Sequence, residues 1–253
     1  MFWELTGDEK KSLFIVDSAD NKLYRYPEIK SAVGELASVL TLPRKGIVAL
    51  FCDNSYRSIA AYLATLNSGN AALLINNSTD KTLAANILDT YKPEIIITQG
   101  GNGVVPDGYH SIEHPIDGLN IYRQAGEPGT EIFADTALLL STSGTTGNPK
   151  LVRLSYSNLQ SNAASIAEYL GIDMNERPIT SLPMSYSYGL SVINSHILKG
   201  SGIICSNDTI MQKAFWNTFR ENECTSFAGV PYSYEMQIGR ATSELQSPNT
   251  ISY

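Results

Sequence analysis

A lysine, two glycines and a cluster of hydroxyl side chains lie together between Thr142 and Lys150 and carry the clearest chemistry in the chain. The run reads Thr142, Ser143, Gly144, Thr145, Thr146, Gly147, Asn148, Pro149, Lys150. Gly144 and Gly147 let backbone N–H groups approach a ligand closely and tolerate positive φ. Successive N–H groups in such a turn form a nest for an anion. Thr142, Ser143, Thr145 and Thr146 add hydroxyl donors, and Lys150 adds a point charge suited to phosphate. Together these groups suit a polyphosphate. The run is not a Walker A loop, which needs Gly-Lys-Ser/Thr opening a helix. Here Pro149 separates Gly147 from Lys150, and Leu151 to Leu154 reads as a strand. By composition alone the run also describes a Gly/Ser/Thr-rich surface hairpin. Ser143 has no evident base partner, which argues against a nucleophilic serine. His196 reads as a core or surface histidine rather than a catalyst. His110 and His114 lack a third ligand and read as part of a surface loop, so no metal site is expected.

Thr142 to Lys150 resembles the phosphate-loop signature of the adenylate-forming enzymes: acyl-CoA synthetases, peptide-synthetase adenylation domains and luciferases. The resemblance extends on both sides. Asp53 to Asn76 is similar to the family's early helix–Gly–strand unit, and Leu151 to Leu170 to the stretch after the loop. Leu182 to Leu190 (LPMSYSYGL) resembles the next motif, with Tyr186 at the usual His/aromatic position. Phe227 to Pro231 (FAGVP) resembles the family's pocket-lining Gly-Val-Pro. The resemblance implies that Thr142, Ser143, Gly144, Thr145, Thr146, Gly147 and Lys150 bind the ATP phosphates. It implies an acid-substrate pocket at Tyr186, Tyr188, Gly189, Gly229, Val230 and Pro231. The two tyrosines also read as ordinary core, since Tyr buries well with its hydroxyl satisfied. Leu151 departs from the family's Gly after the lysine.

The loop needs strands and helices to hold it, and short β-rich runs alternate with helical patterns. Ser12 to Val16 reads as a strand. Tyr26 to Leu40 reads as a helix with Pro27 early and Ile29, Val33, Leu36 and Leu40 on one face. Gly46 to Phe51 is a buried strand. Asn54 is placed to cap the next helix, which Gly69 ends in the left-handed region. Ala71 to Ile75, the helix Lys81 to Tyr91 and the strand Glu94 to Thr98 continue the rhythm. Strand and helix alternating at this spacing imply right-handed βαβ crossovers and a largely parallel sheet. Gly100 to Thr130 reads as an irregular Gly/Pro-rich loop. After the phosphate loop, Ser157 and Gln160 form a capping-box pattern for a helix ended by Gly171. A second α/β unit follows: strand Ile179 to Pro183, helix Leu190 to Leu198, strand Gly202 to Ser206, helix Met211 to Asn222, strand Ser226 to Val230. The fold class is α/β, with two βαβ-type sheet lobes meeting in a cleft. Lobe one covers about 1–176 and lobe two, incomplete, about 177–253. Ligands in open α/β sheets bind beyond the carboxyl ends of strands, where the phosphate loop starts.

The chain has 253 residues, 43% hydrophobic and 17% charged, with net charge −7. That fits an ordered globular protein, and without a basic stripe nucleic acid is excluded as a partner. Three cysteines, Cys52, Cys205 and Cys224, show no disulfide or metal spacing, which suits a reducing cytoplasm. No apolar run reaches the length of a membrane helix, and the first residues lack a signal-peptide core.

The resemblance is incomplete. The later Tyr-Gly-x-Thr-Glu segment, the ribose-binding aspartate, the hinge and the C-terminal lysine have no counterpart. The chain therefore looks like a truncated N-terminal domain of an AMP-dependent ligase. The family implies that a carboxylic acid attacks ATP, with Mg2+ bound by residues beyond this stretch. The acyl-AMP then passes its acyl group to a thiol of CoA or of the phosphopantetheine on an acyl carrier protein. Catalytic residues are not identified, and the chain alone is expected to be inactive. An alternative is a non-catalytic short form acting as a binding or interaction module. An unfinished second lobe leaves a sheet edge open, so a homo-oligomer is expected.

Overall fold

Every residue of β3 (Ile47–Cys52) is buried, as in a parallel strand covered on both faces. Its side chains alternate between faces. Val48, Leu50 and Cys52 join the main core, while Ile47, Ala49 and Phe51 join a separate one under α3 (Lys81–Tyr91). The computed structural model describes residues 1–100, 103–126, 131–141, 150–231 and 234–235. In it β4 (Ala71–Asn76) and β5 (Ile95–Gln99) flank β3 in parallel, and β8 (Thr136–Ser141) runs parallel to β4. Antiparallel strands complete both edges: β7 (Leu119–Gln124) and β6 (Tyr109–Ile112) beside β5, and β9 (Leu151–Ser155) beside β8. The seven-stranded order is β6-β7-β5-β3-β4-β8-β9.

The second sheet draws on both ends of the chain. β1 (Phe14–Asp17) and β2 (Lys22–Arg25) form a hairpin. β1 also pairs in parallel with β11 (Ile203–Cys205), which pairs with β10 (Pro178–Ile179) and through it with β12 (Ser226–Phe227). Between the sheets lie α1 (Tyr26–Val39), α2 (Tyr56–Asn67), α4 (Tyr156–Tyr169) and α5 (Ser187–Lys199), whose apolar faces share one core with both. α2 is buried nearly all round, from Ser58 to Leu66, which marks a central helix. α6 (Lys213–Glu221) covers the outer face of the second sheet, with Phe215 against Ile179, Ile204 and Phe227.

The fold is α/β with two sheets, as the alternating pattern implies, but several local expectations are corrected. Residues 14–25, expected in lobe one, form the β1–β2 hairpin of the second sheet, because Ile15 registers with Ile203. The stretch from Gly100 to Thr130 contains β6 and β7; the alternation of buried Leu119 and Ile121 was hidden by flanking Gly and Pro. Ser55, not Asn54, caps α2 by accepting from Ser58 N. The capping box of α4 is Ser155 with Asn158, bonded reciprocally at 3.0 and 3.1 Å. Strand β9 ends at Ser155, so Ser157 already lies inside the helix, and Gln160 instead accepts from Phe2 N at 2.9 Å. Gly69 and Gly171 do take positive φ, 79° and 66°, after their helices. Lys81 to Tyr91 is helical with the bounds read from the sequence.

Lys45 joins three of these elements. Its Nζ donates to the Gly69 carbonyl at 2.7 Å and to the Tyr156 hydroxyl at 3.2 Å, and lies 4.5 Å from the Tyr156 ring centre. Burial pushes its pKa down from 10.5 to about 8, with Asp135 opposing. The unfolded chain thus keeps this proton to higher pH than the folded one. Folding therefore gains stability as pH rises from about 8 to 10.5, and loses it as pH falls back. Urea midpoints across that range should rise for the wild type relative to Lys45→Met. Parallel curves would show that Lys45 is hydrated as an ordinary surface lysine.

Candidate active site

The register of β8 and β9 fixes where the hydroxyl-rich loop begins and ends. Ser141 pairs with Leu151, so Thr142 and Lys150 leave neighbouring positions on two bonded strands. Thr142 to Pro149 lie outside the described residues. Lys150 is exposed at the start of β9. β3, β4 and β8 are parallel, so Cys52, Asn76 and Ser141 end on one edge. This is the edge at which open α/β sheets bind ligands.

The segment 182–189 faces that edge, and one side chain holds it there. Asn54 Nδ2 donates to the carbonyls of Leu182 and Ser206, each at 3.2 Å, and Asn54 Oδ1 accepts from Met184 N at 3.0 Å. Asn54 N donates in turn to Asn207 Oδ1 at 2.9 Å. A second link runs from Asn76 Nδ2 to Ser185 Oγ at 3.3 Å. Gly189 lets the first turn of α5 fold back on this segment: a Cβ there would stand 2.3 Å from the Pro183 oxygen.

Tyr186 immediately precedes α5 and Tyr188 lies in its first turn; they are 50% and 41% exposed, so neither is a core residue. Tyr186 lines a cleft of about 570 Å³ with Asn76, Ser141, Val152 and Ser185. Tyr188 lines a second cleft, about 700 Å³, between α4 and α5. Leu140, Leu154 and Ser187 line both, so the two clefts adjoin. Gly189 lies buried behind them. Gly229, Val230 and Pro231 follow β12 and line neither cleft. The Ser181 hydroxyl, which donates to the Ala228 carbonyl, ties their strand to the exit of β10.

Titratable chemistry is sparse here. His196 is buried within α5 with Nδ1 2.7 Å from the Val192 carbonyl, and burial lowers its pKa. Among the described residues no three His, Cys, Asp or Glu side chains come together as a metal site. What the described residues offer is a partly apolar cleft beside Ser141, at the carboxyl edge of the sheet.

A sequence model described as AMP-binding enzyme matches residues 6–250. The chain belongs to the AMP-binding enzyme family. Among curated relatives, the 2-succinylbenzoate–CoA ligase of Bacillus velezensis is 26% identical over 73% of this chain and 39% of its own length. The D-alanine–D-alanyl carrier protein ligase of Streptococcus pneumoniae is 27% identical over 67% of this chain and 34% of its own. The chain thus spans well under half the length of these relatives. ATP-bound MatB from Rhodopseudomonas palustris superposes with a TM-score of 0.73 at 24% identity, over 97% of this chain and 50% of MatB. The N-terminal domain of FACL13 from Mycobacterium tuberculosis superposes at 0.68, with 19% identity over 88% of this chain and 60% of that domain. These likenesses place the chain in the N-terminal part of the AMP-binding enzyme fold.

Sequence reasoning missed the Asn54 clamp and the polar walls of the α4–α5 cleft. The walls left a signal: Asn158, Ser161, Asn162 and Ser165 recur at helical spacing on α4, as do Ser187, Ser191 and Asn194 on α5. The Asn54 clamp left none, because its partners lie more than a hundred positions away in sequence. Asn54→Leu leaves the Leu182 carbonyl and the Met184 N–H unpaired, while the Ser206 carbonyl keeps the Thr180 hydroxyl, and should cost about 3 kcal/mol. Ser55→Ala removes a helix cap and the hydroxyl's bond to Asp53 Oδ1 at 2.5 Å and should cost less, about 1–2 kcal/mol. Urea denaturation of both variants checks the order; a larger loss at Ser55 would show that the segment 182–184 does not depend on Asn54.

Proposed function

We propose that the chain is part of an AMP-dependent acid–thiol ligase that activates a carboxylic acid as its acyl-adenylate. The observation that carries this reading is the loop from Thr142 to Lys150, matched in a member of the AMP-binding family and launched from the carboxyl edge of the sheet. The loop's N–H groups, hydroxyls and Lys150 hold the ATP phosphates. The acid lies in the adjoining cleft by Tyr186 and Tyr188, with Gly189 and the Gly229–Pro231 turn behind it. The carboxylate attacks the α-phosphorus, pyrophosphate leaves, and the acyl group then passes to the thiol of CoA or of a carrier-protein phosphopantetheine. The names of the relatives, one ligating to CoA and one to a carrier protein, support both acceptors.

Transferring a phosphoryl-linked group needs several charges placed together. The chain covers 39% and 34% of the length of two curated relatives, and we read residues 1–253 as a partial domain, inactive alone, with Mg2+ bound elsewhere in a longer parent. A reducing compartment fits three free, buried cysteines. Among the described residues no helix is long and apolar enough to cross a membrane. Among the described residues β12 bonds to β10 alone and ends the five-stranded sheet, which favours self-association of the isolated chain through that edge.

ATP–pyrophosphate exchange across a panel of carboxylic acids tests the reading. The parent should exchange with at least one acid, and Lys150→Ala should lower the rate about a hundredfold. The isolated chain should show no exchange. Absence of exchange by the parent with every acid sinks the proposal. Sedimentation should find the isolated chain associated; a monomer at high concentration would show that the β12 edge is covered.

A further inference from the structure

The cleft between α4 and α5 has an unusual lining for an acid pocket. Its floor is apolar, Leu138, Leu140 and Leu154, but its walls carry serine and asparagine side chains and no charged group. At its helix α5 wall stands Asn194, only 3% exposed. Its Nδ2 is 3.3 Å from the Tyr62 hydroxyl, and its Oδ1 has no partner among the described residues. Turning the amide over exchanges the two ends and still leaves one unpaired. A buried polar group without a partner is costly, and a ligand group that pairs with it recovers that cost.

We infer that this cleft selects a carboxylic acid whose far end carries an uncharged hydroxyl, recognised by Asn194. The inference rests on the ligase reading, which puts the acid in the adjoining clefts by Tyr186 and Tyr188. A hydroxyl both donates and accepts, so it satisfies either orientation of the amide. A hydrocarbon end leaves the amide unpaired. A second carboxylate or an ammonium loses hydration among walls that offer no countercharge. Asn162 and Ser165, exposed along the α4 wall, add hydrogen-bonding groups on the way in.

The test uses matched acids of equal size: 4-hydroxybutanoate with pentanoate, 6-hydroxyhexanoate with heptanoate, and 3-(4-hydroxyphenyl)propanoate with 3-(4-methylphenyl)propanoate. Ligand-observed NMR titration against the full chain gives the affinities. In at least one pair the hydroxy acid should bind about ten- to a hundredfold tighter, and also tighter than adipate or 6-aminohexanoate. Asn194→Leu, similar in size, should bring that pair to within about threefold. If circular dichroism shows Asn194→Leu unfolded, Asn162→Leu on the exposed wall should reduce the same preference. Equal or tighter binding of every methyl acid, a preference unchanged in the folded variant, or no binding of any acid would overturn the inference. Pyrophosphate exchange by the parent separates the two ideas. Exchange without hydroxyl preference removes only this inference, and hydroxyl-selective binding without exchange removes only the ligase reading.

Discussion

The site exists because one carboxamide bonds two sheets together. Asn54 leaves the end of β3 and reaches backbone groups of Leu182, Met184 and Ser206, all contributed by the second half of the chain. It uses both ends of the amide at once, donating to two carbonyls and accepting from one N–H. Aspartate has no donor for the carbonyls, and an aliphatic side chain has neither function. Being 7% exposed, the group competes little with water for these bonds. The loop between β8 and β9 belongs to the first sheet, and the tyrosines at the start of α5 follow the second. The separation of the β8 end from those tyrosines is therefore set by this clamp and by the close approach that Gly189 permits.

A second polar tie runs from the second sheet to α2. Asp17, at the end of β1, accepts from Tyr56 N at 3.0 Å and from Ala19 N at 3.2 Å while almost wholly buried. Burial raises its pKa, against the pull of the two N–H groups. A carboxylate at the first turn of α2 also faces the positive end of that helix. Asn54 and Asp17 thus hold opposite sides of one junction, and both are polar because the groups they meet are strand ends and helix starts with open hydrogen-bonding positions. Apolar packing alone fills the space between the sheets but leaves those backbone groups unpaired.

What was legible in the sequence followed local physics. The helix from Lys81 to Tyr91 and the strands around Val48, Leu73 and Ile96 showed in their periodicity, because burial on one or both faces writes directly into spacing. The family showed in the glycines and the lysine between Thr142 and Lys150, as the match over residues 6–250 bears out. Non-local pairing was not legible. Nothing in Phe14 to Asp17 says that its parallel partner is Ile203 to Cys205, and the Gly/Pro setting of β6 and β7 concealed two antiparallel strands. Local pattern also misplaced both caps. Asn54 and Ser157 suit an N-cap by type, but tertiary contacts claimed the first and the end of β9 placed the second inside its helix.

The polar cleft stands against the stability of its own helix. On α5, Leu190, Ile193 and Ile197 are buried in the main core, and Asn194 sits among them. A leucine at 194 would continue the apolar face, keep helix propensity and leave no amide group unpaired. The neighbouring Tyr62, fully buried on α2, offers one hydroxyl and so satisfies one end of the amide at most. Folding by itself thus disfavours asparagine at this position. Local rules of packing and polar satisfaction fail together mainly where a site needs them to. Here they fail on the wall of an open cleft that adjoins the one at the carboxyl edge of the first sheet, so the energetic cost falls where solvent or a ligand meets the protein.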